Sequence, residues 1–269
     1  MSEGDFTRGH PALPACVVTV VGVGLMGGSL AGALRGRCAE VIGVDQNADV
    51  LTEAERCGLI DEGTPSLAQG VRDADVVILA TPVRAILGIL DVIGPMLKSG
   101  ALLMDIGSTK AQILKKMAQL PDPIDVIGGH PMCGKEVSGV SAADVGLYRG
   151  RTFIISPLPR TRPAGVKTAK ALAHAAGAKP LIIEGERQDF LVGTISHLPY
   201  LLACGLVSTA DSLTSPDPLV WEIVAGGYRG GGFGCGDVRA WVEVRLGVVG
   251  GGLGVGWPGR PQTVVGAVG

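Results

Sequence analysis

Short runs of apolar and β-branched residues recur along the first 185 residues and alternate with stretches of helical spacing. The runs are residues 16–21, 40–45, 75–80, 101–105, 124–128, 152–156 and 180–184. Continuous apolar runs bounded by turn residues are typical of strands buried on both faces of a parallel sheet. Helices are predicted between them, at 28–35, 50–57 and 83–97. The pattern therefore predicts an α/β fold with a doubly wound, mainly parallel sheet.

The strand pattern stops near residue 185. Residues 188–212 are apolar with helical spacing, interrupted by Pro199, and residues 218–224 suit another helix. We expect four segments: an N-terminal extension (1–15), a Rossmann-type nucleotide-binding domain (16–185), a partial all-helical domain (186–229) and an irregular glycine-rich tail (230–269).

Three glycines follow the first predicted strand and open the first predicted helix. Gly22, Gly24 and Gly27 have the G-x-G-x-x-G spacing, and Asp45 ends the next strand 18 residues later. The glycines allow a tight turn, a close approach of backbone to a pyrophosphate, and close helix–strand packing, while the helix N-terminus offers free N–H groups. Leu25 and Met26 lie between the last two glycines, so we include them in the cofactor site.

Asp45 favours NAD over NADP, because a carboxylate accepts both ribose hydroxyls and repels a 2′-phosphate. FAD shares the glycine fingerprint, and a β-turn-α unit with incidental glycines is a further interpretation. Thr81 and Pro82 close the third strand, where they are expected to border the cofactor; they also suit a helix N-cap and first helical residue.

Three segments bring polar groups towards the same crevice. They contain Ser108 (105–110), His130 (128–136) and His197 (195–200). Each residue also has a structural interpretation: Ser108 as a helix cap, His130 as a turn histidine and His197 as a packed core histidine. The positions of Ser108 and His130 just after predicted strands favour a functional role.

Composition narrows the class of protein. Apolar residues make up 46%, charged residues 18%, aromatic residues 4%, and the net charge is −2, so neither nucleic acid nor another polyanion is an expected partner. The six cysteines form no C-x-x-C pair, so we expect no metal site and a reducing, cytoplasmic setting. Residues 13–34 carry no charge, but a strand, a turn and a helix explain them better than a membrane span.

Six motifs occur in the order known from one enzyme family. They lie at residues 22–27, 80–82, 105–110, 129–136, 196–199 and 225–229. On these motifs the chain resembles the prephenate and arogenate dehydrogenase family of tyrosine biosynthesis, a branch of aromatic amino-acid biosynthesis. The Gly-Gly-His-Pro and Ser-His-Leu-Pro motifs are far more specific than the glycine fingerprint.

The resemblance implies NAD-dependent oxidative decarboxylation of prephenate to 4-hydroxyphenylpyruvate, or of arogenate to tyrosine. The histidine matching His130 would accept the hydroxyl proton, and Ser108 would share that hydrogen bond and position the nicotinamide. It assigns substrate contacts to Glu136, Ser196, His197, Tyr200, Gly227 and Arg229. It also implies a homodimer built by the helical domain. The family often has a histidine where Tyr200 stands, which leaves the choice of substrate open.

The resemblance ends at Arg229. Residues 226–269 hold 16 of the 43 glycines, whereas the family continues with an Asp-x-x-Arg-like segment, whose arginine binds a substrate carboxylate, and with amphipathic helices. The tail is either a natural flexible extension or out-of-frame translation of a GC-rich gene, and its composition favours the second. Without that arginine we expect weakened substrate binding, and without those helices we expect exposed apolar surface and poor dimerisation or aggregation.

Two other functions remain open from the sequence. β-Hydroxyacid dehydrogenases also join a nucleotide-binding domain to a helical one, but they place a catalytic lysine in the helical half, and this chain has no lysine after Lys179. Alternatively, the altered tail leaves a nucleotide-binding protein without turnover.

Overall fold

The computed structural model describes residues 10–135, 137–214 and 219. Within them, eight strands form one sheet: β1 (Val17–Val21), β2 (Glu40–Val44), β3 (Glu62–Thr64), β4 (Val76–Leu79), β5 (Leu102–Asp105), β6 (Asp125–Pro131), β7 (Thr152–Pro157) and β8 (Lys179–Ile182). Their order is β3-β2-β1-β4-β5-β6-β7-β8. Every neighbouring pair is parallel except β6 and β7. The predicted mainly parallel sheet is confirmed.

Helices cover both faces of this sheet. They are α1 (Leu25–Leu34), α2 (Ala48–Arg56), α3 (Leu67–Val71), α4 (Val83–Leu90), α5 (Ala111–Met117), α6 (Pro163–Ala175), α7 (Gly185–Val192) and α8 (Leu198–Thr214). Because successive strand residues point to opposite faces, Ile78 belongs to one buried cluster with α1, α2 and α6. Leu79 belongs to the other cluster, with α3, α4 and α5. This packing confirms the doubly wound architecture.

Several local expectations need correction. The helix expected to reach residue 97 ends at Leu90, and a short 3-10 turn containing Pro95 follows, since proline cannot continue the hydrogen-bond ladder. β3 and α3 were not expected because three and five residues are too short to show a period. The uncharged stretch 13–34 forms a turn, β1 and α1, as anticipated.

The chain divides into two compact units, the first ending at His197 and the second beginning at Leu198. This division lies beyond the expected boundary near 185 because α7 packs against α5 in the first unit. Pro199 does not end a helix: it is the second residue of α8 and directly follows the π-helical segment Gly193–His197 within the continuous helical stretch Gly185–Ala210.

An apolar helical stretch and the state of the cysteines bear on the cellular location of the chain. The stretch Gly185–Ala210 is long and apolar enough to cross a membrane by length and composition. The core helix of a soluble protein passes the same test. The five cysteines in the described part of the chain are all free thiols.

Candidate nucleotide-binding and active site

The glycine turn after β1 has the geometry that its spacing predicts. Gly22 has a φ of +94°, a conformation that side chains disfavour. A Cβ atom on Gly27 would lie 1.8 Å from the Gly22 carbonyl oxygen, which shows how closely α1 packs on the turn. Gly24 is the N-cap of α1 and a Cβ there would meet nothing within 4 Å. The space before the helix N-terminus is therefore open for an anionic group.

The start of α1, with Leu25 and Met26, is tied to a distant segment. The hydroxyl of Tyr148 donates to the Met26 carbonyl oxygen at 2.6 Å, and the Asp144 N–H donates to Ser29 Oγ at 2.8 Å. Burial raises the pKa of Tyr148, which keeps its hydroxyl protonated as a donor. The residues after β6 thus hold the helix that would receive a pyrophosphate.

Asp45 follows β2 at the carboxyl edge of the sheet. Its two oxygens accept hydrogen bonds from the N–H groups of Val23 and Asn47, each at 3.1 Å. One of these bonds fixes the glycine turn itself. A carboxylate has further acceptor sites, so Asp45 still suits a ribose diol.

A cleft of about 610 Å³ lies in front of the turn and is lined by Gly22, Asp45, Thr81 and Pro82 among others. Thr81 Oγ1 is buried and has no hydrogen-bond partner among the described residues. Pro82, not Thr81, is the N-cap of α4, so the expectation that Thr81 caps that helix is wrong. The open turn, the carboxylate and the unpaired hydroxyl fit a dinucleotide.

A buried ion pair lies beneath the loop that follows β5. The ammonium of Lys110 bonds to the carboxylate of Asp105, and both side chains are fully buried. Desolvation raises the pKa of Asp105 and lowers that of Lys110, while each charge opposes the other's shift. Ser108, between them in sequence, is exposed. The pair thus supports a loop that presents a hydroxyl to solvent.

His130 stands beyond the carboxyl edge of the parallel strands. The last residue of β5, Asp105, pairs with Gly128, so His130 has no β5 neighbour and is supported instead by Ile154 of β7. Burial, with Lys110 and His197 nearby, lowers the pKa of His130 to about 4. The imidazole is therefore neutral at pH 7.

Two polar residues near this site were not predicted from the sequence. Gln188 and Asp189 lie on α7, and Asp189 accepts hydrogen bonds from the N–H groups of Lys110 and Ala111 at 2.7 and 2.8 Å. Gln188 is fully buried. The only sequence pattern that pointed to Gln188 and Asp189 was weak: they are two polar residues at the start of an apolar stretch.

The remaining site residues are placed as follows. His197 is half-buried and ends a π-helical segment, Gly193–His197, while the neighbouring Ser196 is exposed. Such π segments often accompany functional sites. Tyr200 is half-buried on α8, in the second unit. Three residues assigned to substrate, Glu136, Gly227 and Arg229, lie outside the described residues, as does the tail 230–269.

The fold and this geometry define a dinucleotide-binding protein of the doubly wound class. The family described as "Prephenate dehydrogenase, nucleotide-binding domain" matches residues 30–182, more than half of the chain. The chain therefore belongs to the prephenate dehydrogenase family.

Individual relatives agree with this assignment. A prephenate dehydrogenase of Lactococcus lactis is 33% identical over 79% of this chain, which spans 59% of that protein's length. A prephenate dehydrogenase of Aquifex aeolicus, solved with hydroxyphenyl propionate and NAD+, is 30% identical with a TM-score of 0.75, covering 88% of this chain and 84% of that one. An arogenate dehydrogenase of Synechocystis is 28% identical with a TM-score of 0.71, covering 86% and 83%.

Proposed function

We propose that this chain catalyses the NAD+-dependent oxidative decarboxylation of prephenate or arogenate. The observation that carries the proposal is the position of the neutral His130 at the edge of the sheet that also holds the glycine turn. In doubly wound proteins, ligands bind at the carboxyl ends of the strands. A dinucleotide on the glycine turn and the base His130 would therefore lie at the same edge of the sheet.

The glycine turn, Asp45 and Thr81 would hold the dinucleotide. When bound, NAD+ supplies the acceptor for the hydride that leaves C4 of the substrate. His130 accepts the proton of the C4 hydroxyl as the carbonyl forms. The bond to the ring carboxylate then breaks, carbon dioxide leaves, and its electron pair completes the aromatic ring. His130 returns the proton to the resulting phenolate oxygen.

Ser108 and His197 complete the proposed site. The exposed hydroxyl of Ser108 shares the hydrogen bond to the substrate oxygen, and Ser196 and His197 contact the remainder of the substrate. A substrate contact of Tyr200 rests on the resemblance alone. Glu136, Gly227 and Arg229 are kept as substrate contacts on the resemblance alone. Prephenate and arogenate differ only in the side chain, so Glu136 and Tyr200 are the residues expected to bear on that choice.

The test is an assay of NADH formation with each substrate, beside a calorimetric titration with NAD+. We expect turnover by the natural chain, and a fall in kcat of at least about 10²-fold in His130→Asn, the usual scale for loss of a general base, with NAD+ affinity retained. Binding of NAD+ without turnover on either substrate would instead support a nucleotide-binding protein with an impaired tail.

We further propose that a second copy of the chain packs on α8. Leu198, Leu201, Leu202 and Leu206 are 51%, 64%, 65% and 42% exposed, and their spacing puts them on one face of the helix. Exposed apolar faces of this kind mark protein interfaces. The double variant Leu201→Glu/Leu202→Glu should be monomeric in light scattering, whereas Gln112→Glu, at an exposed polar position on α5, should leave the dimer intact. A monomeric natural chain contradicts the proposal.

The cytoplasm is the proposed location of the enzyme. The five free thiols in the described part of the chain suit a reducing compartment. Fractionation of the native host tests this placement, and recovery in the membrane fraction would assign Gly185–Ala210 a different role.

A further inference from the structure

The middle of α7 is bonded to the start of α5, at the end of the loop that follows β5. The carboxylate of Asp189 accepts the N–H groups of Lys110 and Ala111, the N-cap and first residue of α5. Lys110 has no capping side chain of its own, so Asp189 supplies the cap from another helix. These two bonds fix the place of its neighbour Gln188 relative to β5 and β6.

The side-chain amide of Gln188 can take only one orientation. Its Nε2 donates to Asp189 Oδ1 at 2.9 Å and to the Ser108 carbonyl oxygen at 3.4 Å. Both partners are acceptors, so they require the NH2 group on their side. The oxygen Oε1 must therefore point the other way.

Gln188 and His130 each leave one buried polar atom without a partner. Oε1 of Gln188 and Nδ1 of His130 are both buried, and neither has a hydrogen-bond partner in the part of the chain that the structure describes. The amide of Gln188 also raises the pKa of His130, as an acceptor close to the ring does. An amide oxygen that cannot turn can accept only from an N–H of the ring, and Nδ1 is the ring nitrogen that is buried without a partner.

We infer that Gln188 is a positioning residue that holds His130 in its Nδ1–H tautomer, with Nε2 left unprotonated to take the substrate proton. Asp189 keeps the amide in place. The inference rests on the proposed function for its catalytic meaning, although the tautomer itself is a property of the protein alone.

This arrangement gives the base a neutral partner. When His130 receives a proton at Nε2, the imidazolium keeps its Nδ1–H bond to Oε1, so the ring does not turn during the transfer. A carboxylate in that place would raise the basicity of the ring much further. The amide fixes the direction of the ring and leaves its pKa low.

The decisive experiment is two-dimensional NMR of the protein with ¹⁵N-labelled histidine, without substrate, at pH 7. The chain has only four histidines, and the His130→Asn variant assigns the signal of His130. We expect the Nδ1–H tautomer in the natural chain and a shift towards the Nε2–H tautomer in Gln188→Met. The exposed Gln119→Met is the matched control and should leave the tautomer unchanged.

Kinetics give a second readout. Gln188→Met should lower kcat by about tenfold, the lower scale for losing a partner that orients a histidine, with little change in the KM for NAD+. The pKa of His130 should fall as well, because the natural amide raises it. A purely structural role for Gln188 would lower stability and activity without moving the tautomer or the pKa.

Two results would overturn the inference: an Nε2–H tautomer in the natural chain, or an unchanged tautomer in a folded Gln188→Met protein. The first needs no variant of Gln188, so it stands even if that variant fails to fold. An inactive natural chain with the Nδ1–H tautomer would contradict the proposed function and leave the positioning intact.

Discussion

Replacement of Lys110 by methionine is expected to destabilise the protein by about 3–5 kcal/mol, the usual cost of removing one partner of a buried ion pair. Methionine fills much of the same volume but offers no cation to Asp105. The Asp105 carboxylate keeps the Gly107 N–H at 2.8 Å, which does not neutralise its charge. Since both side chains are fully buried, water cannot replace the ammonium.

Urea unfolding followed by circular dichroism measures this loss. With a slope of about 2 kcal/mol per molar urea, the midpoint should fall by about 1.5–2.5 M. The double variant Asp105→Asn/Lys110→Met removes both charges and should recover most of the loss. Lys115→Met, at an exposed position on α5, is the control and should change the free energy of unfolding by less than about 0.5 kcal/mol.

The reasoning is refuted if Lys110→Met costs less than about 1 kcal/mol, or if the double variant is no more stable than the single one. A second signal comes from His130. The charge of Lys110 lowers the pKa of His130, so that pKa should rise in Lys110→Met.

Three further outcomes are expected. Gly27→Ala should raise the Kd for NAD+ at least about tenfold in calorimetry, because its Cβ would lie 1.8 Å from the Gly22 oxygen; unchanged affinity contradicts the turn geometry. Asp45→Ser should bind NADP+ more tightly than the natural chain. An equal loss of affinity for NAD+ and NADP+ would show instead that Asp45 acts only by holding the glycine turn. The pKa of His130 falls on folding to about 4, so the unfolded chain binds more protons below its own pKa of about 6.5. Stability should therefore drop as the pH falls from about 6.5 towards 4, and less steeply in His130→Asn.

Most of the parallel sheet was predictable, because strands that are buried on both faces consist of uninterrupted apolar runs, such as residues 75–80. The glycine turn was predictable for a similar reason: the demands on Gly22, Gly24 and Gly27 are local. β3 was not, since its three residues carry no period and pairing with β2 alone defines it.

The polar contacts beneath the site were beyond sequence reasoning. Lys110 and Asp189 are 79 residues apart. No pattern in either segment predicts that the carboxylate of Asp189 on α7 caps the start of α5. Likewise, the sequence around Lys110 is compatible with a solvated surface lysine. Only the fold shows that Lys110 is buried against Asp105. Contacts of this kind depend on how α5 and α7 pack.

The part of β6 that extends past β5 limits the mobility of the proposed base, His130. Residues 129–131 extend past the end of β5 and are paired with β7. His130 therefore belongs to the β6–β7 ladder, although β5 no longer pairs with β6 at this position. Most catalytic groups in such folds sit on loops, whose ordering costs entropy when the substrate binds. Here the backbone of the base is already ordered by Ile154, so hydrogen exchange at His130 should be slow. Redesign of the segment after Pro131 for another substrate can then leave the reacting imidazole in place.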